Sequence, residues 1–522
     1  MSEVDPEQSG LTRRGALKAG AAAVGGVAIA GGLLGSAFEV AAAPAVIGTG
    51  PYGPMQSADA NGMLLPPGFT SRIIARTGQS IGPRPYEFHT APDGMGTFDA
   101  GDGGFVLVSN SESIEGGAGA IRFDSSFQVT DAYRILENTL LNCAGGVTPW
   151  NTWLSCEEIE TGRVFECDPF GVKASVVRPA LGVFKHEACA VDPVGRKVYL
   201  TEDLGDGCLY RFSPASYPDL SRGQLEVAIV ADDGQVSWVP VPDPQFTGVT
   251  PTRMQVPDAE RFRRGEGMWY DDGIVYFATT QDDRVYALHC ESQTLEVLYD
   301  GVALGSTSPL HKTDNVTVSP TSGDLFVAED GDNLQICVVS TEGEVAAFLE
   351  LPGREHRDSE LTGPVFDPAG HRLYFSSQRM TGGGAIFEVN GPFRSNRDEP
   401  LPPDTTKPAV KVRTLGRPTL ERLLRSGQAF ELTVTDDSPP VTIKARLVTK
   451  MMRANGRRTQ DVTIGQVETR VTNSGNKKIT VKVGKRHAAK LRKRDVAQAR
   501  LVVTAIDAEG NRQRTVKPVR FS

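Results

Sequence analysis

Short apolar runs, each broken by a Gly-containing turn and closed by a polar or acidic residue, recur six times between Phe105 and Gln378. The last four copies are the plainest: HEACAVDPVGRKVYLTED from His186, GEGMWYDDGIVYFATTQ from Gly265, DNVTVSPTSGDLFVAED from Asp314 and LTGPVFDPAGHRLYFSSQ from Leu361. Aligned on the second apolar run, the copies begin at Phe105, Thr152, Val198, Val275, Leu325 and Leu373, in steps of 47, 46, 77, 50 and 48 residues. Strand-turn-strand units repeating about every 45–50 residues predict a β-propeller. The count predicts six blades. The long step after the third copy, 213–264, is rich in Pro and Asp and holds one strand-like stretch at 225–230, so it is expected to pass over a face of the propeller.

The pattern changes near the C-terminus. The propeller is expected over 64–391 after a lead-in at 46–63, followed by a Pro-rich linker at 392–406. From 407 to 522 apolar and polar residues alternate in short runs at 430–435, 441–448, 462–471, 478–483, 501–506 and 515–521, with one basic helix-like stretch at 488–494. That spacing predicts a small immunoglobulin-like β-sandwich, so the fold class is all-β throughout. Charge divides at the same boundary: from Thr405 onward there are 27 Lys and Arg against 9 Asp and Glu, leaving 28 against 55 before it. A net charge of −9 hides a tail near +18 and a body near −27. Basic pairs at Arg457-Arg458, Lys485-Arg486 and 492–494 suit an anionic cell-wall polymer, or simply a solvated surface balancing the acidic body. Nucleic acid is disfavoured, because no aromatic residues interleave with the basic ones.

Compartment follows from the first 45 residues. Arg13 and Arg14 precede an Ala- and Gly-rich apolar run and then Ala43-Pro44-Ala45, the layout of a twin-arginine export signal. The run has too few large apolar residues for a stable membrane span. A secreted or envelope-associated monomer is expected. Seven cysteines, an odd number without a CxxC pair, exclude a complete disulfide framework, although Cys156 and Cys167 could form one disulfide after export.

The repeat also superimposes chemistry that is scattered along the chain. Nine to eleven positions before the aligned runs, where an inner strand enters a central channel, stand Cys143, Glu187, Glu266 and Asn315. At the ends of the runs stand Asn110, Glu157 with Glu158, Asp203 and Asp330. Carboxylates this crowded raise each other's pKa unless a cation sits among them, so the pattern implies bound metal.

The strings Asn142-Cys143-Ala144-Gly145-Gly146-Val147-Thr148-Pro149-Trp150, Thr152-Trp153-Leu154-Ser155-Cys156-Glu157-Glu158, Lys185-His186-Glu187 and Gly265-Glu266-Gly267 resemble the PhoX-type alkaline phosphatases over roughly residues 64–391. The resemblance implies a six-bladed propeller exported by the twin-arginine route that hydrolyses phosphomonoesters at a cluster of Fe3+ and Ca2+. It places iron ligands at Cys143, Glu158, Glu187 and Glu266 and a phosphate-contacting arginine at Arg264, with Arg264 and Glu266 as the catalytic pair. Calcium ligands are assigned from the repeat to Asp203, Asn315 and Asp330. A thiolate with carboxylates suits ferric iron, and carboxylate and amide oxygens suit calcium. Two other readings use the same propeller: a calcium-dependent hydrolase such as a lactonase, for which the Cys143 thiol has no use, and a non-catalytic wall-associated protein with structural calcium. No Gly-x-Ser-x-Gly elbow is present, and His89, His311 and His356 lack metal-ligand spacing, while His186 beside Glu187 is the weaker candidate.

Overall fold

The computed structural model describes residues 44–83, 86–395, 408–435, 441–452, 459–471, 475–492, 498–506 and 512–521. The export signal and nearly all of the linker lie outside them. Two compact units divide the chain, 1–400 and 401–522.

Among the described residues, the first unit is built from six sheets of four or five strands. Their innermost strands are Pro92–Asp99, Asn142–Val147, His186–Asp192, Gly265–Asp271, Thr313–Val318 and Leu361–Phe366. The second strands, Phe105–Ser111, Trp153–Glu157, Lys197–Glu202, Ile274–Thr279, Leu325–Glu329 and Arg372–Ser377, begin within one residue of the repeat positions read from the sequence. These runs are rich in Val, Leu, Phe and Tyr and lie between two neighbouring sheets, so both faces are buried. Each inner strand touches the next, and the sixth returns to the first, closing a propeller-like ring. Six apolar clusters fill the gaps, one between each adjacent pair of sheets.

The ring is closed by an early strand. Thr70–Arg76 pairs antiparallel with Ala385–Asn390, joining the two ends of the unit in the sixth sheet. The lead-in is also tied down: Val46–Ile47 pairs parallel with the start of Glu344–Glu350, and the Leu64 amide donates to the Glu350 carbonyl at 2.9 Å. The insertion departs from expectation in its first half. Asp219–Val230 and Val236–Pro240 extend the third sheet to five strands, and only the return segment 241–264 runs along the loops. There Val183 donates to Pro244 at 2.8 Å, Phe262 to Gly207 at 2.9 Å and Arg264 to Leu204 at 2.8 Å.

Among the described residues, the second unit has two antiparallel sheets around one apolar core. One holds Ala409–Thr414, Gln428–Thr435 and Gly475–Val481; the other holds Thr459–Val471, Val441–Met452, Gln498–Ile506 and Arg512–Arg520. The basic helix spans Lys485–Arg492 and inserts Leu491 into the core. Arg457, Arg458, Lys493 and Arg494 lie outside the described residues.

Candidate metal centre

Each inner strand starts with the same irregularity. Its first residues pair with the end of the second strand, and then the register slips: Pro92/Met95, Asn142/Gly145, His186/Cys189, Gly265/Met268, Thr313/Val316 and Thr362/Val365. Such a bulge re-aims one side chain. The residue just after the first pair is Asp93, Cys143, Glu187, Glu266 and Asp314 in five sheets and Thr362 in the sixth.

A second ring lies one residue past the end of each second strand's pairing: Glu112, Glu158, Asp203, Thr280, Asp330 and Gln378. Each donates its backbone N–H, at 2.9–3.3 Å, to the residue two before the bulge, namely Ala91, Leu141, Lys185, Arg264, Lys312 and Glu360. In three of the six sheets that third position is a cation, Lys185, Arg264 or Lys312. Arg264 sits there with a left-handed backbone, φ 56°, locked by bonds to Leu204 and Thr280. A non-glycine residue is seldom found in that region, and the surrounding bonds hold it there.

The three rings converge on a chamber of about 120 Å³ lined by Asp93, Glu112, Cys143, Glu158, Glu187, Arg264, Glu266, Asp314, Asp330, Glu360 and Arg379. Arg264 Nε donates to Asp203 Oδ1 at 2.8 Å, its second terminal nitrogen lies 3.0 Å from Glu266 Oε1, and its first lies 3.5 Å from Asp330. Lys185 Nζ binds Glu158 at 2.7 Å and Asp203 at 3.1 Å. Across the chamber Arg379 bridges Glu112 at 2.5 Å to Glu360, and Gln378 donates to Glu112 at 2.8 Å and to Asp93. Thr280 donates to Glu266 Oε1 at 2.6 Å, and the Cys143 thiol to Glu187 Oε1 at 3.4 Å.

Acids outnumber bases here, and burial does the rest. Desolvation, followed by the fields of neighbouring carboxylates, pushes Glu187 and Asp314 well above the ordinary carboxylate range. Burial likewise dominates for Glu158, Glu266 and Glu360, and Asp93 is pushed up to about 7 by burial and then by Glu112. Asp203 goes the other way: burial opposes ionisation, but hydrogen bonds led by Arg264 hold its pKa low. Burial first, then Asp93 and Glu187, raises the Cys143 thiol. Glu187 Oε2 is buried without a hydrogen-bond partner. Candidate ligand atoms lie within 4.8 Å of one another in three groups: Asp93, Glu112, Cys143; Cys143, Glu158, Glu187; and Glu187, Glu266, Asp314. An orphaned carboxylate oxygen among groups that resist ionisation is the environment a cation completes, so the residues fit a metal.

Of the residues singled out from the sequence, Cys143, Glu158, Glu187, Arg264, Glu266 and Asp330 line the chamber, and Asp203 holds Arg264 and Lys185 at its edge. Asn315 does not line it. Its Oδ1 accepts from the Gly363 amide at 2.6 Å and its Nδ2 donates to Asp314 at 2.8 Å, so it ties the fifth inner strand to the sixth and Asp314 takes the ring position. Glu157 and Asn110 are likewise structural. Glu157 accepts from the Leu140 and Arg163 amides at 3.0 and 3.2 Å, as Glu329 does from His311 and Gln335, both at 2.8 Å. Asn110 donates to the Cys143 and Ala144 carbonyls at 3.0 and 2.8 Å. His186 stacks on Phe184, ring centroids 3.6 Å apart, and burial lowers its pKa to about 3. Cys156 and Cys167 are both free thiols, correcting the expected pairing. The repeat does not single out Asp93, Glu112, Asp314, Glu360 or Arg379: nine to eleven positions before Phe105 and Leu373 fall on 94–96 and 362–364, short of Asp93 and Glu360, and Asp314 shares its offset range with Asn315.

Residues 116–164 and 160–295 match the family model of the alkaline phosphatase PhoX. The matched span contains Glu112's neighbours in the chamber, Cys143, Glu158, Glu187, Arg264 and Glu266, and supports a phosphatase-type activity. No curated protein matches the sequence. The chain is also similar to a Bacteroides thetaiotaomicron protein of unknown function (11% identity, 62% of this chain and 76% of that one, TM-score 0.41), and to a putative 6-phosphogluconolactonase from Bacteroides uniformis (12%, 72% and 85%, TM-score 0.32). The WD40 repeats of RRP9 give 7% identity over 65% of this chain and 100% of that one, TM-score 0.37.

Proposed function

We propose that this chain is an exported, metal-dependent phosphomonoesterase, with ferric iron and calcium held in the chamber. The observation that carries the reading is the excess of buried carboxylates around the Cys143 thiol, five of whose chamber residues fall in the span matched by a phosphatase family model. Cys143, Glu158, Glu187 and Glu266 would hold iron, and Asp203, Asp314 and Asp330 calcium. Bound cations would withdraw charge from a phosphoryl group and keep the thiol and carboxylates ionised.

The chain's own residues position the substrate. Asp203 fixes the Arg264 guanidinium by taking its Nε and second terminal nitrogen, and the other edge, which faces Glu266 and Asp330, would meet phosphoryl oxygens. Arg379 faces it from the opposite wall, and Lys185 adds a third positive charge. At about 120 Å³ the chamber would take the ions and a phosphoryl group, not a whole substrate. A larger cavity of about 530 Å³, lined by Thr90, Arg354, Glu355, Asp358 and Arg379, opens alongside and would take the polar alcohol portion.

In this reading the six sheets are six propeller blades, the second unit is an immunoglobulin-like sandwich, and the N-terminal segment directs twin-arginine export of a monomer to the envelope. The basic unit then holds the enzyme to anionic wall polymer. Elemental analysis of protein purified from its export route, alongside release of phosphate from p-nitrophenyl phosphate, tests the reading: iron with calcium and hydrolysis that a chelator abolishes are expected. Calcium without iron, or a metal-loaded protein that releases no phosphate, would overturn it.

A further inference from the structure

The four-stranded sheet of the second unit turns one face to the core and leaves the other open. Ile443, Ala445 and Leu447, with Leu501, Val503 and Ala505, are buried inward, so residues between them point out. Strand pairing sets these outward residues in rows: Arg470–Thr442–Ile506–Arg512, then Glu468–Lys444–Thr504–Arg514, then Gln466–Arg446–Val502–Val516. Three adjacent rows thus hold Arg446, Arg470, Arg512, Arg514 and Lys444, all exposed, against one acid, Glu468, which pairs with Lys444 at 3.4 Å. Between them lies a groove of about 540 Å³ whose floor includes Thr504 and Ile506. Val502 faces outward yet is only 3% exposed.

We propose that this face binds a linear polyol phosphate, a flexible chain with one phosphodiester per repeat. The inference names the partner and the surface for the attachment role given above, but it does not depend on the chamber or its activity. Four of the five cations are arginines, and a guanidinium matches phosphate with two parallel hydrogen bonds where a lysine offers a point charge. Rows about 6.8 Å apart along strands about 4.8 Å apart present a grid, so successive phosphates can each meet a different side chain. Nothing aromatic stands in the three rows, so the face has no platform for bases.

The test uses the full chain and lipid-free poly(glycerol phosphate), with binding measured at 50 and 200 mM NaCl. Engagement of five phosphates gives a log–log salt slope of about −3.5, hence roughly a hundredfold weaker binding at the higher salt. The double variant Arg446→Glu/Arg512→Glu is expected to lose at least about tenfold in affinity, the milder Arg446→Gln/Arg512→Gln less in the same direction, and Lys411→Glu on the other sheet almost nothing. All should keep the parent's rate on p-nitrophenyl phosphate. Unchanged binding by the double variant, equal loss with Lys411→Glu, or equal affinity for polygalacturonate, which carries carboxylates only, would overturn the proposal. Tighter binding to duplex DNA would replace it with a nucleic-acid site.

Discussion

Asp314 and Asn315 are neighbours, both buried, and the structure gives them opposite jobs. Asp314 completes a candidate ligand group with Glu187 and Glu266, whereas Asn315 spends its amide on Gly363 and on Asp314 itself. Asp314→Asn is therefore expected to lower bound metal and cut the phosphatase rate by orders of magnitude while folding normally. Asn315→Ala leaves the buried Gly363 amide unpaired, worth about 1–3 kcal/mol of stability, and should retain its metal. Metal analysis and thermal melts of the pair decide it, and the reverse outcome would restore Asn315 as the ligand. A count from the repeat cannot separate these two residues, because choosing between them needs the pairing register. His89 supports a pH prediction away from the chamber. It is buried, with its ring nitrogens near the Tyr86 and Ser109 hydroxyls, and burial, then Arg134, lowers its pKa to about 3. An unfolded histidine titrates near about 6.5, so the folded state refuses a proton the unfolded chain accepts. The stability this confers is complete above about pH 6.5 and is lost as pH falls toward 3. His89→Gln should flatten the fall in melting temperature between pH 7 and pH 4 relative to the parent, and parallel curves would refute the assignment.

At the scale of elements, the bulge that starts each inner strand is what turns a repeat into a site. Ordinary alternation would aim the wrong residue inward, and the slip lets Asp93, Cys143, Glu187, Glu266 and Asp314 share one axis. Close approach of the strands is the other requirement. A Cβ on Gly267 would lie 2.5 Å from Asn315 Cα and 2.9 Å from Val316 N, and one on Gly94 2.4 Å from Ala144 Cα, all backbone atoms that cannot swing aside. Gly267→Ala should therefore cost about 1–3 kcal/mol, as overpacking does, and spread the fourth and fifth inner strands enough to reduce metal binding. Gly248→Ala, with its nearest neighbour 3.8 Å away, should change stability by less than about 0.5 kcal/mol. Equal melting temperatures for the two variants would mean the ring tolerates separation. The second strands were legible in the sequence because they are apolar on both faces and end on a polar or acidic residue. The bulges were not, since an extra residue leaves the hydrophobic pattern of a doubly buried strand unchanged. The insertion misled for another reason: the strand-like run at 225–230 was visible, but the polar, mostly exposed residues before it in Asp219–Val230 gave no sign that it continues the third sheet.

On the scale of the whole molecule, charge and architecture divide together, acidic sheets in one unit and basic sheets in the other, and this much was readable from composition. The place to cut the chain was not. Ending at Asn390 spares every strand of the first unit yet removes Phe393, whose ring packs against Phe69 and Phe366 at centroid distances of 4.9 and 5.1 Å. It also removes Arg394, which lies 3.3 Å from the fully buried Asp324 and 3.2 Å from Glu342. Deleting one partner of a buried ion pair leaves an uncompensated charge, typically worth about 3–5 kcal/mol, and loss of a large aromatic contact adds to it. Two chains differing by five residues should thus behave differently. The one ending at Ser395 is expected to melt as the first unit does in the full protein, bind metal, and hydrolyse p-nitrophenyl phosphate at close to the full-length rate, because its ring is closed by Thr70–Arg76 and its six apolar clusters draw on residues before 395. The one ending at Asn390 should melt markedly lower, with its metal retained only while it stays folded. Indistinguishable melting curves would show that the segment after the last strand is dispensable, and a Ser395 chain without metal or activity would show that the first unit does not complete the chamber alone.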